Sequence, residues 1–233
     1  MEAVVLAGGF GTRLRAAVAD VPKPMAPVGG RPFLELLLDY WIGEGVRRAV
    51  LAVGYKKEIV RAHFGARYRG CEIAYSEEER PLGTGGALLN ALPLLNGDGP
   101  FLVLNGDTYF AARLDALASF HREHNAEVTM SLFRSADAAR YTGVSLDGSM
   151  RVTGLGAGAK GELLVNGGVL LFERHALAGH ASAHDGLLGL EDGILAAMLK
   201  TRAAVFACVF DAPFVDIGVP EDWRAAEKII TEN

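Results

Sequence analysis

The chain alternates short runs of β-branched and other apolar residues with amphipathic segments, and this alternation restricts its possible folds more than any other feature. Strand-like runs lie at 3–6, 49–53, 71–76 and 101–107, and helix-like segments separate them. Strands and helices in alternation predict βαβ units, right-handed crossovers and a mostly parallel sheet. We therefore expect the α/β class, as a three-layer α/β/α sandwich with a Rossmann-like, mixed but mainly parallel sheet.

The second half of the chain is less regular and is expected to add antiparallel pieces to this core. Asp147-Gly148 lies between two alternating runs within 142–156, which is the pattern of a β-hairpin. The other expected elements are strands at 126–133, 165–172 and 204–210, and helices at 31–45, 56–65, 84–95, 114–125, 190–200 and from about Pro220.

Composition narrows the functional classes. A length of 233 residues suits one α/β domain, and no apolar run approaches the ~20 residues of a membrane span. The N-terminus leads directly into the first strand, without the features of a signal peptide. Cys71 and Cys208 are expected to be free thiols in a reducing cytoplasm. The formal net charge of −5 argues against a nucleic-acid binder, which usually carries a basic stripe.

A glycine-rich loop follows the first strand in VVLAGGFGTRLR. A Walker loop requires Gly-Lys-Ser/Thr after four intervening residues, and no such string occurs. The dinucleotide fingerprint requires a third glycine where Leu14 stands, and an acid after the second strand, which ends in Val53-Gly54-Tyr55. What remains is a loop whose bare amides meet phosphates beside Arg13, because a guanidinium forms paired hydrogen bonds with phosphate oxygens.

Lys23 lies between Pro22 and Pro24 in the segment DVPKPMAPVGGRPFL. The two rings restrict the backbone, and we expect them to hold the lysine in extended geometry. A solvated surface lysine gains nothing from that restraint. A lysine directed at a phosphoryl group does gain from it, because catalysis favours charges that are fixed before the reaction.

These two segments resemble the sugar-1-phosphate nucleotidyltransferases, whose signature is G-x-G-T-R-[LM] with a later P-K-P. The resemblance continues through PLGTGGAL, NGDTYF, VNGGVLLF and FVDIGVPEDW in the family's order, over nearly the whole chain. It implies the GT-A-like fold of nucleotide-diphospho-sugar transferases in a single domain over 1–233. The nucleotide-binding half would be 1–110 and the sugar-phosphate-binding half 111–233.

The resemblance also implies a reaction. An oxygen of a sugar 1-phosphate attacks the α-phosphorus of a nucleoside triphosphate, and pyrophosphate leaves. Asp107 and Asp216 would hold Mg²⁺, which prefers hard oxygen ligands and takes few carboxylates when it also binds phosphates. Arg13 would neutralise the β- and γ-phosphates, and Lys23 would serve the α-phosphate and the sugar phosphate. The implied catalytic set is therefore Arg13, Lys23, Asp107 and Asp216.

Two binding regions follow from the same resemblance. The sugar phosphate is expected at Lys23, Gly143 and Asn166. A backbone carbonyl or a carboxylate could accept the N1–H and N2–H₂ donors of a guanine. Glu78 or Glu79 is the candidate carboxylate, although the string SEEER is more typical of a solvated acidic turn. The implied nucleotide-binding residues are Leu6, Ala7, Gly8, Gly9, Gly11, Thr12, Arg13, Gly83 and Asn105, with Gly85 and Gly86 permitting close approach.

The chain departs from the family on the sugar side. Many relatives carry a Glu-Lys pair shortly before the Asn-x-Gly strand, and its lysine touches the sugar phosphate. Ala157-Gly158 stand at the aligned positions here, with Lys160 and Glu162 nearby. What anchors the sugar phosphate is therefore left open by the sequence.

The histidines do not predict a metal site. His121 and His124 share a helical face but lack the H-E-x-x-H spacing. His175, His180 and His184 lie in an alanine-rich, loop-like stretch. We expect the histidines at solvated positions.

Within the family, the segment from AGGFGTRLR to LLLDYW most closely resembles guanylyltransferases that act on D-glycero-α-D-manno-heptose 1-phosphate, and it also resembles mannose-1-phosphate guanylyltransferases. The expected product is GDP-heptose, for capsule or lipopolysaccharide. The alternatives are a uridylyl-, thymidylyl- or cytidylyltransferase for another sugar 1-phosphate, and a non-catalytic nucleotide-sugar sensor. Expected partners are the two substrates, with no nucleic acid and no membrane. The sequence does not specify the oligomeric state, and a homodimer is compatible with it.

Overall fold

A computed structural model describes residues 1–9, 14, 18, 20–156, 162–180 and 186–231. These residues form short and long strands, six α-helices and several short segments of 3-10 or π-helix. The strands are β1 (Glu2–Leu6), β2 (Pro27–Val28), β3 (Arg31–Pro32), β4 (Arg48–Val53), β5 (Arg67–Tyr68), β6 (Cys71–Glu77), β7 (Phe101–Asn105), β8 (Thr108–Phe110), β9 (Val128–Ser135), β10 (Val144–Leu146), β11 (Val152–Leu155), β12 (Leu163–Phe172), β13 (Val205–Val209) and β14 (Phe214–Asp216). The α-helices are α1 (Phe33–Gly43), α2 (Lys57–Phe64), α3 (Gly83–Ala91), α4 (Leu114–Glu123), α5 (Ala196–Lys200) and α6 (Pro220–Thr231).

Eight of these strands form one central sheet in the order β13-β9-β12-β7-β1-β4-β6-β5. β1 runs parallel to β4 and β7, and β6 runs parallel to β4. β12 is antiparallel to both of its neighbours, β7 and β9, and β13 is parallel to β9. The sheet is therefore mixed and mainly parallel, and its antiparallel strands come from the second half of the chain and from the short edge strand β5. This confirms the predicted class.

Helices cover both faces of this sheet because successive side chains of a strand point to opposite sides. Val5 of β1 lies in a core with side chains of α1, α2 and α4. The adjacent Val4 lies in a second core, with side chains of α3 and α5. The three layers predicted from the alternating pattern follow directly from this two-sided burial. None of the helices in the described part of the chain is both long and apolar enough to cross a bilayer.

Two predicted elements differ in detail from the observed ones. The fourth core strand, β7, ends at Asn105 rather than Asp107. Gly106 follows in a turn, where its amide donates to the Leu6 carbonyl at 2.9 Å and where a Cβ would lie 3.1 Å from Ala7 Cα. The helix expected at 190–200 begins as a π-helical turn, Leu190–Leu195, and becomes α-helical only in α5. By contrast, β10 and β11 form the predicted antiparallel hairpin around Asp147-Gly148.

The prediction of solvated histidines is wrong for His121. This residue belongs to α4, and its side chain is buried on the inner face of the helix. Its Nδ1 lies 2.8 Å from the Thr129 hydroxyl and its Nε2 lies 3.4 Å from Glu173. Burial lowers the pKa of His121, because the charged imidazolium loses its hydration. The face of α4 on which His121 lies is apolar. A neutral histidine can be buried in this face because a hydroxyl group supplies it with a hydrogen-bond partner. His175 is exposed, as expected.

Candidate active site

A short two-stranded sheet brings together two aspartates that lie far apart in the sequence. β14 pairs with β8 in antiparallel register, so that Asp216 lies opposite Thr108. The amide of Ile217 donates to the backbone carbonyl of Asp107 at 3.0 Å, which extends the pairing by one step. Asp107 is thereby placed directly beside Asp216. The sequence alone does not predict this pairing.

Lys23 lies between the two carboxylates. Its ammonium Nζ donates to Asp107 Oδ2 at 2.6 Å and lies 3.6 Å from Asp216 Oδ1. The lysine side chain is only 10% exposed, so the rest of the protein holds this cation in place. Gly218 packs directly against the cluster. A Cβ at this residue would lie 2.8 Å from Asp216 Oδ1 and 3.2 Å from Lys23 Nζ.

The backbone at Lys23 is not extended, and that prediction is wrong. Pro22 is extended, with φ −67° and ψ 152°, but Lys23 begins a 3-10 turn that ends at Met25. The Met25 amide donates to the Pro22 carbonyl at 2.8 Å. A proline is tolerated in the first turn of a helix because its missing N–H would have no helical partner there. The prolines thus restrict the lysine through a turn rather than through an extended segment.

A cavity of about 510 Å³ opens beside this cluster, at the carboxyl ends of β1, β4 and β7. Lys23 and Asp107 line it, while Asp216 does not. Of the predicted catalytic and nucleotide-binding residues, Gly11, Thr12 and Arg13 lie outside the described residues. The other predicted nucleotide-binding residues all line the cavity: Leu6, Ala7, Gly8, Gly9, Gly83 and Asn105.

Glu78 supplies a carboxylate to the wall of this cavity. It lies against Gly8, where a Cβ would come within 2.5 Å of Glu78 Oε1. Oε2 accepts a hydrogen bond from the Leu82 amide at 3.1 Å. Burial raises the pKa of the Glu78 carboxyl, and the Leu82 amide opposes that rise. Glu79 also lines the cavity but is exposed.

The glycines at the start of α3 have a structural partner. The Leu188 carbonyl accepts hydrogen bonds from the Gly85 amide at 2.8 Å and the Gly86 amide at 3.2 Å. Gly83 has φ +78°, and a Cβ at this residue would collide with the same carbonyl. Gly85 is thus closely approached by the backbone of Leu188 and Gly189, and close approach of a nucleotide at Gly85 and Gly86 stays a prediction.

A second, smaller cavity of about 160 Å³ contains the predicted sugar-side residues Gly143 and Asn166. Gly143 forms an isolated antiparallel bridge with Val165. The Asn166 amide Nδ2 donates to Glu191 Oε1 at 2.6 Å, and Glu191 also lines this cavity. Lys23, which was also predicted to bind the sugar phosphate, lines the larger cavity instead.

Asp216 lies between the cations of the two cavities. Its Oδ1 faces Lys23, and its Oδ2 lies 3.8 Å from Nη2 of Arg140, which lines the smaller cavity. Arg140 also forms an ion pair with Asp222 of α6. Arg140, Asp222 and Glu191 were not predicted from the sequence. The available signal was the position of Arg140, directly before the YTGV segment.

The described residues provide a two-carboxylate arrangement rather than a complete protein-built metal cage. Within them, no group of three or more His, Cys, Asp and Glu side chains is arranged to hold a metal ion. Asp107 and Asp216 nevertheless converge on a single cation, the Lys23 ammonium. Hard oxygen donors that converge in this way fit Mg²⁺, which is commonly held by one or two carboxylates together with substrate phosphates.

Known proteins share this fold over the full length of the chain. The Nucleotidyl transferase family matches residues 2–233. D-glycero-α-D-manno-heptose 1-phosphate guanylyltransferase of Campylobacter jejuni is 36% identical over 96% of this chain and 97% of its own length. The protein of that name from Aneurinibacillus thermoaerophilus is 35% identical over 98% of this chain and 97% of its own. The crystal structure of HddC from Yersinia pseudotuberculosis complexed with GMP-PN has a TM-score of 0.82 at 30% identity, covering 97% of this chain and 98% of that one.

Proposed function

Because the chain belongs to the nucleotidyl transferase family, we propose that it joins GTP to D-glycero-α-D-manno-heptose 1-phosphate, forming GDP-heptose and pyrophosphate. The observation that carries the transfer chemistry is the Asp107–Lys23–Asp216 cluster beside two cavities. The choice of GTP and heptose rests on the two relatives named for that reaction. A surface polysaccharide such as capsule or lipopolysaccharide is the proposed destination of the heptose, and the cytoplasm the proposed compartment.

The proposed reaction exchanges one phosphoanhydride bond for another. A phosphate oxygen of the sugar 1-phosphate forms a bond to the α-phosphorus, and the bond from that phosphorus to the β-phosphate oxygen breaks. The electron pair leaves with pyrophosphate, and no covalent enzyme intermediate is needed. The main barrier is electrostatic, because one polyanion must approach another, so positioning and fixed cations are the protein's contribution.

In this proposal Asp107 and Asp216 hold Mg²⁺ and Lys23 serves the α-phosphate. The metal would supply a charge that binds phosphate oxygens and neutralises the charge that develops on them. Lys23 is already held beside both carboxylates, so its positive charge is in the site before the substrates bind. Arg13 is proposed to neutralise the β- and γ-phosphates, on the strength of its place in the G-x-G-T-R motif.

The proposed division into halves has support in the way the two cavities are lined. The larger cavity draws all of its described lining except Leu187 from the segment 1–110, which we propose binds the nucleotide. Leu187 is 74% exposed at this cavity and offers an apolar surface to a base. The described lining of the smaller cavity comes from 140–191, within the half proposed to bind the sugar phosphate.

Glu78 is the acceptor that we propose for guanine. Its carboxylate is half-buried against Gly8, with one oxygen engaged by the Leu82 amide. A carboxylate accepts hydrogen bonds from the adjacent N1–H and N2–H₂ donors of guanine. Uracil and thymine present a carbonyl on each side of their single N–H, so they cannot form this pair of bonds. Glu78 would therefore favour GTP over UTP and dTTP.

We expect Glu78→Gln to raise the KM for GTP about tenfold to a hundredfold, since a hydrogen bond to a charged group is worth roughly 1.5–3 kcal/mol. The KM for the sugar 1-phosphate should stay unchanged. The raised pKa of Glu78 gives a second readout. As pH falls through that pKa, the carboxylate takes up a proton and the KM for GTP should rise, and this rise should be absent in Glu78→Gln.

Glu58, exposed on α2, supplies the matched control Glu58→Gln, which should behave as wild type. Glu79→Gln tests the other carboxylate. A large effect of Glu79→Gln with none of Glu78→Gln would transfer the role to Glu79. An unchanged KM for GTP in both variants would remove carboxylate recognition of the base.

A panel of GTP, UTP, dTTP and CTP against heptose 1-phosphate and mannose 1-phosphate tests the proposed function, with pyrophosphate release as the readout. We expect the highest kcat/KM for GTP with heptose 1-phosphate. A preference for mannose 1-phosphate would keep the assignment as a guanylyltransferase but change the assigned sugar. A preference for another triphosphate would overturn the assignment of the base. Binding of GDP-heptose without pyrophosphate release from any pair would indicate a sensor.

A further inference from the structure

The described lining of the smaller cavity includes one cationic side chain. Among the described residues that line it, Arg140 is the one lysine, arginine or histidine, and the others are neutral apart from Glu191. A sugar 1-phosphate carries a doubly charged phosphate that must reach the Asp107–Lys23–Asp216 cluster. Without a cation on its own side, that phosphate would meet the Asp216 carboxylate directly. The position of Arg140 next to Asp216 is where such a cation is needed.

Three contacts fix the Arg140 guanidinium. It forms an ion pair with Asp222, it lies over the Tyr141 ring at 4.9 Å from the centroid, and its Nη2 is 3.8 Å from Asp216 Oδ2. The hydrogen bond to Asp222 raises the pKa of Arg140, so the group stays charged throughout the working range of pH. A guanidinium has five N–H donors, and the Asp222 contact leaves others for a second anion.

Of the two alternatives named by the sequence, Lys160 and Glu162, the structure describes Glu162. Glu162 forms an ion pair with Arg134 at 3.0 Å, and both side chains are about 60% exposed. Neither Glu162 nor Arg134 lines the smaller cavity. Ala157, Gly158 and Lys160 lie outside the described residues.

We propose that Arg140 binds the phosphate of the sugar 1-phosphate and that Asp222 is the positioning residue that aims it. The inference deepens the proposed function and rests on it. Arg140 would take the place of the lysine that many relatives carry in the Glu-Lys pair. It would hold the attacking phosphate beside Asp216 while Lys23 faces the nucleotide side, so that each anion meets its own fixed cation.

We expect Arg140→Met to raise the KM for the sugar 1-phosphate about tenfold to a hundredfold, because charge-assisted hydrogen bonds to phosphate are lost. The KM for GTP should change less than about twofold, since the nucleotide is proposed to bind in the other cavity. Arg140→Lys should restore part of the affinity, as a point charge without the paired geometry. Asp222→Asn should raise the same KM by a smaller factor, because the guanidinium remains but is less well held.

Arg134→Met is the matched control, since Arg134 is an arginine of the same half that is exposed and outside the cavity. It should leave both KM values unchanged. Thermal unfolding of each variant identifies loss of fold, and Arg140→Lys and Asp222→Asn provide the test if Arg140→Met does not fold. Equal increases in both KM values, or an unchanged KM for the sugar 1-phosphate in folded Arg140→Met, would overturn the proposal.

Calorimetric titration of heptose 1-phosphate and of mannose 1-phosphate into the wild type and the variants separates this inference from the proposed function. Loss of binding in Arg140→Met with an inactive wild type would support Arg140 and refute guanylyl transfer. Turnover by wild type with unchanged sugar-phosphate affinity in Arg140→Met would refute Arg140 and retain the function. Absence of binding to wild type, with absence of turnover, would refute both.

Discussion

Asp107→Asn is expected to lower kcat about a hundredfold or more, as is typical when one preplaced electrostatic group is removed from an active site. The substitution keeps the size and one oxygen of the side chain but removes its charge. In the structure that charge faces Lys23 Nζ at 2.6 Å and lies next to Asp216. With one carboxylate left, the proposed Mg²⁺ would be held more weakly, so the apparent Mg²⁺ requirement should rise together with the loss of kcat.

The measurement is the initial rate of pyrophosphate release as a function of Mg²⁺ concentration. Asp98→Asn is a suitable control, because the Asp98 side chain is fully exposed and lies 3.8 Å from Arg174, away from the cluster. The fold should survive in Asp107→Asn, since β8 pairs with β14 through backbone bonds and the Asp107 side chain is 38% exposed. A folded Asp107→Asn protein with near-normal kcat at low Mg²⁺ would remove Asp107 from the mechanism.

The sheet could be predicted because its signal is local. β1 and β4 are short apolar runs, and each residue along them contributes independently to the pattern of burial. Glycine and proline marked the loops between these runs. The division of Val4 and Val5 between two cores follows from the two-residue period of a strand and needs no knowledge of distant contacts.

The assembly of the site could not be predicted from the residues themselves. Asp107 and Asp216 meet only because β8 and β14 pair, and both strands are three residues long, which is too short for a periodic signal. The resemblance to a family named both aspartates, but it did not supply their contact with Lys23. Arg140 and Asp222 were missed for the same reason, since their ion pair joins a loop to α6.

Local rules also failed where tertiary contacts override them. The prolines around Lys23 indicated an extended backbone, yet the segment forms a 3-10 turn whose Pro24 and Met25 are buried. His121 lies on a helix with charged neighbours, but its face of α4 points into the core. In both cases burial of apolar surface by the surrounding residues outweighs a single-residue preference.

Lys23→Met tests the cation of the Asp107–Lys23–Asp216 cluster. It is expected to lower kcat and to raise the affinity for a divalent ion. The kcat should fall about a hundredfold or more, because the cation fixed beside the α-phosphate is lost. The affinity of the nucleotide-free protein for a divalent ion should rise. In the structure the Lys23 ammonium lies 2.6 Å from Asp107 and 3.6 Å from Asp216, so it competes with any second cation for these oxygens.

Calorimetric titration of Mn²⁺ or Mg²⁺ into the nucleotide-free protein measures the second effect, and pyrophosphate release measures the first. Lys200→Met, at the exposed end of α5, is the control for loss of one positive charge and should change neither quantity. If Lys23 were merely structural, Lys23→Met would be less stable than wild type and would not bind metal more tightly. Without the lysine, the two carboxylates could not hold their positions. Tighter metal binding combined with lost turnover is the result that only a lysine shared between the two carboxylates explains. If Lys23→Met is folded, binds the divalent ion no better than wild type and retains turnover, the cluster does not perform the chemistry proposed for it.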